Sequence, residues 1–427
     1  MKSLGLKELN NELYMGDFKI SDLVKEYGSP LYLCDESHLR HTCDIYKHAF
    51  VSKKFKTEVT YASKAFIAPY LVKIMKDYGF LIDAIGLGDL YLIDKSGYGK
   101  GIVLQGNNKT QEEILTAVKM GADTIVCDNI SELRLLSTLD LKSTHILIRI
   151  NPNISAHTHA YIQTATSTSK FGISYDDKAT LEEVAYLIKT YHLNFAGFQA
   201  HIGSQIVDKN SFIKEAHEMV KFIKMFKDTY GIKSKKLDLG GGFGIQYLDS
   251  DPKLNLEEAL KDLVSAVEQE LDTYSDLECL AIEPGRSIIG DAILTAYHIG
   301  SLKHTTGGVD YAFIEGGMGD NIRPALYEAV YQFDLANKFK DKKEYTYSIG
   351  GKCCESGDII GHDIKLPKVE VGDTLVSYDT GAYCYSMSMN YNGLCKGATL
   401  FIDKDQLKVA IKRQEPQEVY AQANYDI

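Results

Sequence analysis

The fold is organised around one stretch of sequence, Glu58-Val59-Thr60-Tyr61-Ala62-Ser63-Lys64-Ala65-Phe66. Its β-branched and aromatic residues predict a short strand that ends at a lysine, and Ala68-Pro69 predicts the start of a helix. A lysine between small residues at a strand end can be held at low dielectric, where the pKa of its amine falls and the amine becomes a nucleophile. Taken alone, the stretch is more typical of a solvated lysine.

The same pattern recurs along the chain, with a short apolar run, then a polar or glycine turn, then an amphipathic helical segment. Eight such runs occur at residues 58–62, 80–83, 102–105, 124–127, 145–150, 195–200, 236–239 and 277–282. Buried parallel strands joined by crossover helices form either a doubly wound sheet or an eight-fold barrel. Eight repeats in roughly 250 residues match the size of a TIM-type barrel. We therefore predict a (β/α)8 barrel over residues 36–282.

Residues that can take part in catalysis or ligand binding follow the predicted C-terminal ends of these strands. They are Lys64, Asp83, Asn107, Asp128, Asn151, His201, Gly240-Gly241-Gly242 and Glu283-Pro284-Gly285-Arg286. Barrel enzymes place their chemistry at this face, because only there do all eight loops converge. Loops are polar in any protein, but they do not readily supply a lysine, a histidine, a triple glycine and a Glu-Arg pair together. The pattern favours an active site.

After residue 286 the sequence pattern changes from alternating strands and helices to mainly strands. Strand-like runs occur at residues 310–314, 345–349, 374–378 and 398–402, with a helical patch predicted near 324–339. We predict a mainly β domain over residues 283–427, with residues 1–35 packing against it. The predicted fold class is therefore α/β plus β.

Composition limits the classes of partner and compartment. The chain has 427 residues, 44% of them hydrophobic and 25% charged, which is typical of a soluble globular protein of two domains. A net charge of -11 argues against nucleic acid or an anionic membrane as the main partner. No apolar run has membrane-spanning length, and the N-terminus lacks a signal-peptide core, so we expect a cytoplasmic protein. The eight cysteines lack CxxC spacing, and we expect reduced thiols and no metal site.

Three of the predicted turns carry motifs that the residues alone leave open. The triple glycine at 240–242 lets backbone amides approach a phosphate but lacks Walker A and Rossmann spacing, so a tight turn is equally consistent. His201 occupies a position where a histidine is more often a satisfied hydrogen-bonding residue than a catalyst. Glu283 and Arg286 form either a surface salt bridge or a site in which the glutamate holds a protonated ring nitrogen.

Nine motifs along the chain stand in a recognisable order. They are Tyr61-Ala62-x-Lys64-Ala65, Thr158-His159-x-Tyr161-Ile162, Ser169-Lys170-Phe171-Gly172, His201-Ile202-Gly203-Ser204-Gln205, Gly240-Gly241-Gly242, Glu283-Pro284-Gly285-Arg286, Arg323-Pro324-x-Leu326-Tyr327, Cys354-Glu355-Ser356-Gly357-Asp358 and Gly381-Ala382-Tyr383. The chain thereby resembles the diaminopimelate decarboxylases, of the alanine-racemase-like, fold-type III class of pyridoxal-phosphate enzymes, from about residue 28 to 392. Ornithine and arginine decarboxylases share the lysine, histidine and glycine motifs, whereas the stretches at 158–162 and 323–327 favour the diaminopimelate branch.

The resemblance implies pyridoxal 5'-phosphate as the cofactor. The residues implied to bind it are Lys64, Asp83, His201, Ser204, Gly241, Gly242, Glu283, Gly285, Arg286 and Tyr383. The residues implied to bind the substrate are Arg286, Arg323, Tyr327, Glu355 and Tyr383. The implied catalytic residues are Lys64, which carries the cofactor covalently, His201, which stacks on its ring, and Cys354. Glu283 would keep the ring nitrogen protonated, and either Cys354 or Lys64 would return the proton to carbon.

The implied reaction is decarboxylation of meso-2,6-diaminopimelate to L-lysine and carbon dioxide, the last step of lysine biosynthesis. In this family Cys354 and Glu355 reach the active site of the neighbouring subunit, which implies a homodimer. The alternative is a decarboxylase of D-ornithine, D-lysine or a specialised-metabolite intermediate. A pyridoxal-phosphate carrier without activity is disfavoured, because such carriers consist of the barrel alone.

The sequence departs from the family pattern at three places. Phe66 stands where asparagine is common after the Lys-Ala pair. The stretch Asp83-Ala84-Ile85-Gly86-Leu87-Gly88-Asp89-Leu90 replaces the usual Asp-x-x-Ser-x-Gly-Glu-Leu, so that a serine is lost and a glutamate is shortened to Asp89. Ala165 replaces a glycine. The second change borders the expected cofactor site, where it could alter rate or affinity.

Overall fold

The structure is a computed structural model that describes residues 3–154 and 168–424. In the described residues the strands are β1 Leu6–Leu9, β2 Glu12–Met15, β3 Phe18–Lys19, β4 Leu31–Asp35, β5 Lys56–Tyr61, β6 Leu81–Ala84, β7 Ile102–Leu104, β8 Thr124–Cys127, β9 His145–Asn151, β10 Ile173–Ser174, β11 Phe195–Gln199, β12 Lys236–Asp238, β13 Cys279–Ile282, β14 Ile293–His304, β15 Asp310–Ile314, β16 Phe333–Leu335, β17 Tyr345–Gly350, β18 Ile359–Leu366, β19 Thr374–Ser377, β20 Ala398–Asp403 and β21 Gln406–Ile411. The helices are α1 Ile20–Tyr27, α2 Glu36–Ala49, α3 Pro69–Tyr78, α4 Leu87–Lys95, α5 Gln111–Lys119, α6 Ile130–Leu136, α7 Lys178–Thr190, α8 Lys209–Tyr230, α9 Leu256–Glu270, α10 Arg286–Ile289, α11 Arg323–Tyr327 and α12 Pro416–Val419.

The chain divides into two compact units. The first, called the barrel unit, comprises residues 42–245 and 252–287. The second, called the β unit, comprises residues 1–41, 246–251 and 288–427. The Thr-His-x-Tyr-Ile motif at 158–162 and the departure at Ala165 lie outside the described residues.

The barrel unit contains a closed barrel of eight parallel strands, which confirms the predicted fold class. Around the barrel the order is β5, β6, β7, β8, β9, β11, β12 and β13, and β13 pairs with β5 to close the ring. Each of the eight predicted apolar runs overlaps one barrel strand. Most of the strands are apolar in sequence because both of their faces are buried. Their C-terminal ends therefore meet at one face, where the predicted site residues begin.

The β unit is mainly β, as predicted for the second domain. Its large sheet has the order β18, β17, β15, β14, β4, β20 and β21, and β19 pairs with β14 and β16. Strand β4 lies between β14 and β20, antiparallel to the first and parallel to the second. A smaller antiparallel sheet contains β1, β2 and β3. The core of the unit packs leucine, isoleucine and valine side chains from both sheets, among them Leu13, Leu33 and Leu400.

The helical patch predicted near 324–339 is wrong over most of its length. Helix α11 covers five residues, Arg323–Tyr327, and the chain then forms strand β16 at Phe333–Leu335. Pro324 supports the start of the helix because proline suits the first turn. Glu328 ends it with a left-handed backbone at φ 55°. Pairing of β16 with β19 then overrides the local helical pattern.

In the described ranges no helix combines the length and apolarity needed to cross a membrane.

The buried carboxyl group of Glu215 is expected to make the stability of the fold depend on pH. Glu215 on α8 is fully buried, and neither of its carboxyl oxygens has a hydrogen-bond partner among the described residues. Burial raises the pKa of Glu215 well above its ordinary value of 4.5, and the nearby Asp238 raises it further. The folded protein therefore keeps this group protonated while the unfolded chain ionises it, so stability is lost as the pH rises above about 4.5.

Replacing Glu215 with methionine should therefore stabilise the fold by about 1–3 kcal/mol at pH 7. The gain should grow from pH 5 to pH 8, and it is measured by urea unfolding at several pH values. Glu218→Met on the same helix is the control, because Glu218 is partly exposed beside Lys221 and should have a small effect. A gain that does not change with pH would contradict a protonated Glu215.

Candidate active site

The turn that carries Lys64 is rigidly held by its neighbours. Strand β5 ends at Tyr61, and Ser63–Ala65 forms one turn of 3₁₀-helix. The Ser63 N–H donates to Asp83 Oδ1 at 2.5 Å, and both residues are buried. Lys64 itself is exposed, which differs from the low-dielectric environment that the flanking residues suggested. The backbone is fixed while the amine remains accessible, an arrangement suited to a lysine that must exchange partners.

The departure at Phe66 is explained by packing. The Phe66 side chain is fully buried, and the buried Tyr61 hydroxyl donates to the Phe66 carbonyl at 2.7 Å. Phe66 therefore adds apolar core beneath the lysine turn.

Asp83, at the end of β6, is a buried acid beside the lysine turn. Burial raises its pKa to about 7, while the Lys64 ammonium and the hydrogen bond from Ser63 oppose that rise. The positive charge of Lys64 favours the ionised form of Asp83, and the Asp83 carboxyl group holds the lysine turn through the hydrogen bond from Ser63.

Glu283 follows β13, and each of its carboxylate oxygens accepts a hydrogen bond from a glutamine side chain. Gln199 Nε2 donates to Oε2 at 2.8 Å, and Gln105 Nε2 donates to Oε1. Burial and, after it, the Asp238 carboxylate raise the pKa of Glu283 to about 8, while the Gln199 hydrogen bond and the cations Lys64 and Arg149 oppose the rise. This geometry differs from a surface salt bridge with Arg286, because the carboxylate is held by amides.

His201 is a neutral hydrogen-bonding residue beside the glycine turn. Its Nδ1 accepts a hydrogen bond from the Gly241 N–H at 3.3 Å, so in the neutral ring the proton lies on Nε2. Burial lowers the pKa of His201 well below its ordinary value, and the Lys64 and Arg149 cations lower it further. An uncharged imidazole can stack on an aromatic ring without the desolvation cost of a cation.

The triple glycine is required by close approach. A Cβ atom on Gly241 would lie 2.1 Å from the Glu283 carbonyl oxygen, and one on Gly242 would lie 2.3 Å from the Gly203 carbonyl oxygen. Gly242 also has φ of 106°, which favours glycine. The turn is therefore packed against the Glu283 turn and the loop after β11.

Arg286 and Ser204 form the polar corner beside this turn. Arg286 Nη2 donates to Ser204 Oγ at 3.1 Å, and Arg286 is only 4% exposed. Gly285 brings the chain close to the lysine turn, since a Cβ there would lie 2.9 Å from Ala62 Cβ. A buried arginine, a hydroxyl and glycine-rich backbone are the donors that a phosphate requires.

Four further residues of this face were missed in the sequence analysis: Gln105, Gln199, Arg149 and Asp238. The Arg149 guanidinium lies 4.5 Å above the Phe171 ring and 3.7 Å from Asp128 Oδ1. The Gly240 N–H donates to Asp238 Oδ1 at 2.8 Å, which fixes the start of the glycine turn. A signal was present for Arg149 and Gln199, because they are polar residues in the otherwise apolar runs at 146–150 and 195–200.

In the altered loop at 83–90, the carboxylate of Asp89 forms its hydrogen bonds within the loop itself. Asp89 Oδ2 accepts hydrogen bonds from the Ile85 N–H at 2.9 Å and the Gly86 N–H at 3.4 Å, at the N-terminus of α4. A carboxylate there also meets the positive end of the helix dipole. Ile85 and Leu87 are exposed apolar residues in the same loop. Asp89 therefore acts as a helix cap.

In the β unit, Arg323 lies in a cage of tyrosines. Its Nε donates to Tyr331 Oη at 2.8 Å, and its guanidinium carbon lies 5.4 Å from the Tyr327 ring centre and 5.8 Å from that of Tyr383. Arg323 is 8% exposed, and Tyr383 adopts a left-handed backbone at φ 63°. Backbone strain of this kind in a non-glycine residue is typical of functional sites. Tyr331 was missed by the sequence analysis.

Cys354 and Glu355 lie on an exposed turn whose backbone is held in place by hydrogen bonds. Asp358 accepts hydrogen bonds from the Cys353 N–H at 2.7 Å and the Met318 N–H at 2.6 Å. The Cys354 N–H donates to Asn392 Oδ1 at 2.7 Å. The turn therefore presents a thiol and a carboxylate to the exterior on a braced backbone.

The structure thus collects Lys64, Asp83, His201, Ser204, Gly241, Gly242, Glu283, Gly285 and Arg286 in the barrel unit. Arg323, Tyr327, Cys354, Glu355 and Tyr383 belong to the β unit. Among the described residues no group of three or more His, Cys, Asp and Glu side chains is arranged to hold a metal ion.

Comparisons with known proteins agree with this chemistry. Residues 36–290 match the family described as pyridoxal-dependent decarboxylase, pyridoxal binding domain. Diaminopimelate decarboxylase of Bacillus subtilis is 38% identical over 415 residues, covering 96% of this chain and 94% of the relative. That of Staphylococcus aureus is 36% identical over 408 residues, covering 95% of this chain and 96% of the relative.

Solved structures give the same result. A crystal structure of diaminopimelate decarboxylase from M. jannaschii in complex with L-lysine superposes with a TM-score of 0.88 at 30% identity, covering 100% of this chain and 98% of that chain. A lysine/ornithine decarboxylase from Vibrio vulnificus superposes with a TM-score of 0.76 at 21% identity, covering 90% of this chain and 97% of that chain, and so shows the fold alone.

Proposed function

Since the chain belongs to the diaminopimelate decarboxylase family of pyridoxal-dependent decarboxylases, we propose that it converts meso-2,6-diaminopimelate to L-lysine and carbon dioxide. This reaction is the last step of lysine biosynthesis. The observation that carries the proposal is identity of 36–38% to diaminopimelate decarboxylases over nearly the full length of both chains. The buried Arg323 in its tyrosine cage supports a substrate with a second carboxylate.

The residues of the barrel unit fit pyridoxal 5'-phosphate. When bound, this cofactor supplies a sink for the electron pair that remains on the substrate carbon after carbon dioxide leaves. Lys64 offers an accessible amine to its aldehyde, and Glu283 offers a carboxylate to its ring nitrogen. His201 offers a neutral ring to its face, and Asp83 orders the lysine turn.

The phosphate of the cofactor is assigned to the glycine turn and the polar corner. Gly241 and Gly242 allow the backbone to come close, while Ser204 and Arg286 supply a hydroxyl and a buried cation. Gly285 keeps this corner close to the lysine turn. These assignments follow the family pattern and the chemistry of the donors.

We assign recognition of the substrate to the β unit, together with Arg286. Arg323 and Tyr327 bind the far carboxylate, because a guanidinium offers a planar, bidentate fork. Glu355 binds the far amino group, and Tyr383 contacts both cofactor and substrate. Cys354 or Lys64 returns a proton to the carbon that has lost carbon dioxide.

We further propose a homodimer in which Cys354 and Glu355 act in the active site of the second copy. Both residues lie on an exposed turn, where they are available to another chain. Leu326 and Val330 are also exposed, at 49% and 58%, and add apolar surface in the same unit. We place the enzyme in the cytoplasm, which agrees with eight cysteines that form no disulfide.

Mixed dimers test this arrangement. Lys64→Ala and Cys354→Ala should each be poorly active as homodimers, with the cysteine change lowering kcat about 10- to 100-fold. If sites are shared, a reassembled mixture forms hybrids with one intact site and recovers about a quarter of wild-type activity. Recovery no greater than the mean of the two separate variants would contradict sharing of sites between copies.

The proposed reaction is tested by carbon dioxide release from meso-diaminopimelate by the cofactor-loaded enzyme, with L-lysine measured as the second product. D-ornithine, D-lysine and L-ornithine serve as parallel substrates. Selective turnover of meso-diaminopimelate supports the proposal. Faster turnover of one of the other amino acids would keep the fold and the cofactor but overturn the assigned substrate.

A further inference from the structure

The carboxylate of Glu283 is held from two sides of the barrel. Gln199 is the last residue of β11, and Gln105 follows directly after β7. Neither strand is a neighbour of β13, which precedes Glu283 and pairs with β12 and β5. Both amides therefore reach across the barrel interior to meet the same carboxylate, one on each oxygen.

Both glutamines are themselves buried, with Gln199 1% exposed and Gln105 7% exposed. Gln199 Oε1 has no hydrogen-bond partner among the described residues, although Nε2 of the same amide is bound to Glu283. A buried acceptor without a partner costs free energy. The conformation of Gln199 is therefore explained by the hydrogen bond that its Nε2 donates to Glu283, since its Oε1 gains no hydrogen bond from this placement.

The electrostatics explain why the donors matter. Burial and, after it, the Asp238 carboxylate raise the pKa of Glu283 to about 8, although the Gln199 hydrogen bond and the cations Lys64 and Arg149 oppose the rise. Without the Gln199 hydrogen bond the pKa of Glu283 would be higher still, and the carboxyl group would be a poorer counter-ion to a ring N–H at neutral pH. A side-chain NH₂ group can donate only to a lone pair, so two amide donors favour the ionised carboxylate.

We propose that Gln105 and Gln199 are positioning residues that favour the ionised form of Glu283 and orient its carboxylate toward the ring nitrogen of pyridoxal 5'-phosphate. The inference rests on the assigned cofactor site and deepens it, and it holds for any amino acid that the enzyme decarboxylates. With one amide removed, the Glu283 carboxyl group takes up a proton at higher pH. The ring nitrogen then loses its anionic partner and its own proton.

The test uses Gln199→Met and Gln105→Met, which keep side-chain length and remove the donor. Cofactor labelled with ¹⁵N at the ring nitrogen reports by NMR whether that nitrogen is protonated, and titration of the apoenzyme gives the cofactor dissociation constant. Each variant should weaken binding about tenfold, as expected for one charge-assisted hydrogen bond, and the ring nitrogen should lose its proton at lower pH than in the wild type. Gln111→Met, at an exposed position in α5, is the matched control and should change neither quantity.

Two further variants separate positioning from packing. Gln199→Asn keeps an amide donor and should restore part of the ring-nitrogen protonation, and it replaces Gln199→Met if that variant does not fold. In a Glu283→Gln background, Gln199→Met should cause no further shift of the ring-nitrogen signal. An equal shift in both backgrounds, or unchanged protonation and affinity in both methionine variants, overturns the proposal. These readouts need no substrate, so they stand apart from the outcome of the carbon dioxide assay.

Discussion

Replacing Lys64 with alanine should lower carbon dioxide release by at least about 10³-fold and remove the visible absorption band of covalently held cofactor. Lys64 is exposed while its neighbours Ser63 and Ala65 are buried, so the change removes a reactive amine without opening a cavity. Non-covalent contacts through Ser204, Arg286 and Glu283 remain, so the variant should still bind the cofactor, with lower affinity.

The measurement combines the absorption spectrum, borohydride reduction followed by mass spectrometry of the labelled peptide, and the rate of carbon dioxide release. Lys189→Ala in α7 is the control, because Lys189 is an exposed lysine on a barrel helix and should leave all three unchanged. Lys109 is not a ready substitute, since its buried Nζ lies 2.7 Å from Glu132 Oε1. A visible band that survives in Lys64→Ala would show that another lysine carries the cofactor.

The barrel could be predicted because most of its strands are short apolar runs that are buried on both faces. That signal is local, and it locates both the strands and the residues at their C-terminal ends. The helix predicted near 324–339 failed for the opposite reason. There the pairing of Phe333–Leu335 with β19 decides the structure, and this contact joins residues that are 40 to 44 positions apart in the chain.

The motif residues of the site could be named in advance, but the interactions among them could not. Gln105 and Gln199 come from strands far apart in sequence from Glu283, and no spacing rule joins them. The role of Asp89 was also hidden, because a missing serine and a shortened acid indicate a change at the loop without showing that the carboxylate caps α4. Tertiary hydrogen bonds of this kind depend on the closed barrel and on local backbone geometry.

Replacing Arg323 with methionine should lower kcat/KM for meso-diaminopimelate by about 10²- to 10³-fold, because a bidentate, charge-assisted contact to the far carboxylate is lost. Methionine has a length similar to that of the arginine stem, and its thioether can pack beside the Tyr327 and Tyr383 rings, although the cation–π contacts of the guanidinium are lost. Tyr331 loses a hydrogen bond but keeps its contact with Cys384 Sγ at 3.6 Å. The effect should therefore fall on the substrate and spare the fold.

The measurement is kcat/KM for meso-diaminopimelate and for D-lysine, which lacks the far carboxylate, together with cofactor affinity. Selectivity for meso-diaminopimelate should collapse, while cofactor affinity and any turnover of D-lysine stay near their wild-type values. For meso-diaminopimelate, the kcat/KM of Arg323→Lys should lie between that of the wild type and that of Arg323→Met, since lysine keeps the charge but not the planar fork. Arg134→Met is the control, because Arg134 is exposed and pairs with Glu183 on the surface. Equal losses for both substrates would mean that Arg323 supports the structure of the β unit and does not read the far carboxylate, which would also remove the main physical argument for a substrate with two carboxyl groups.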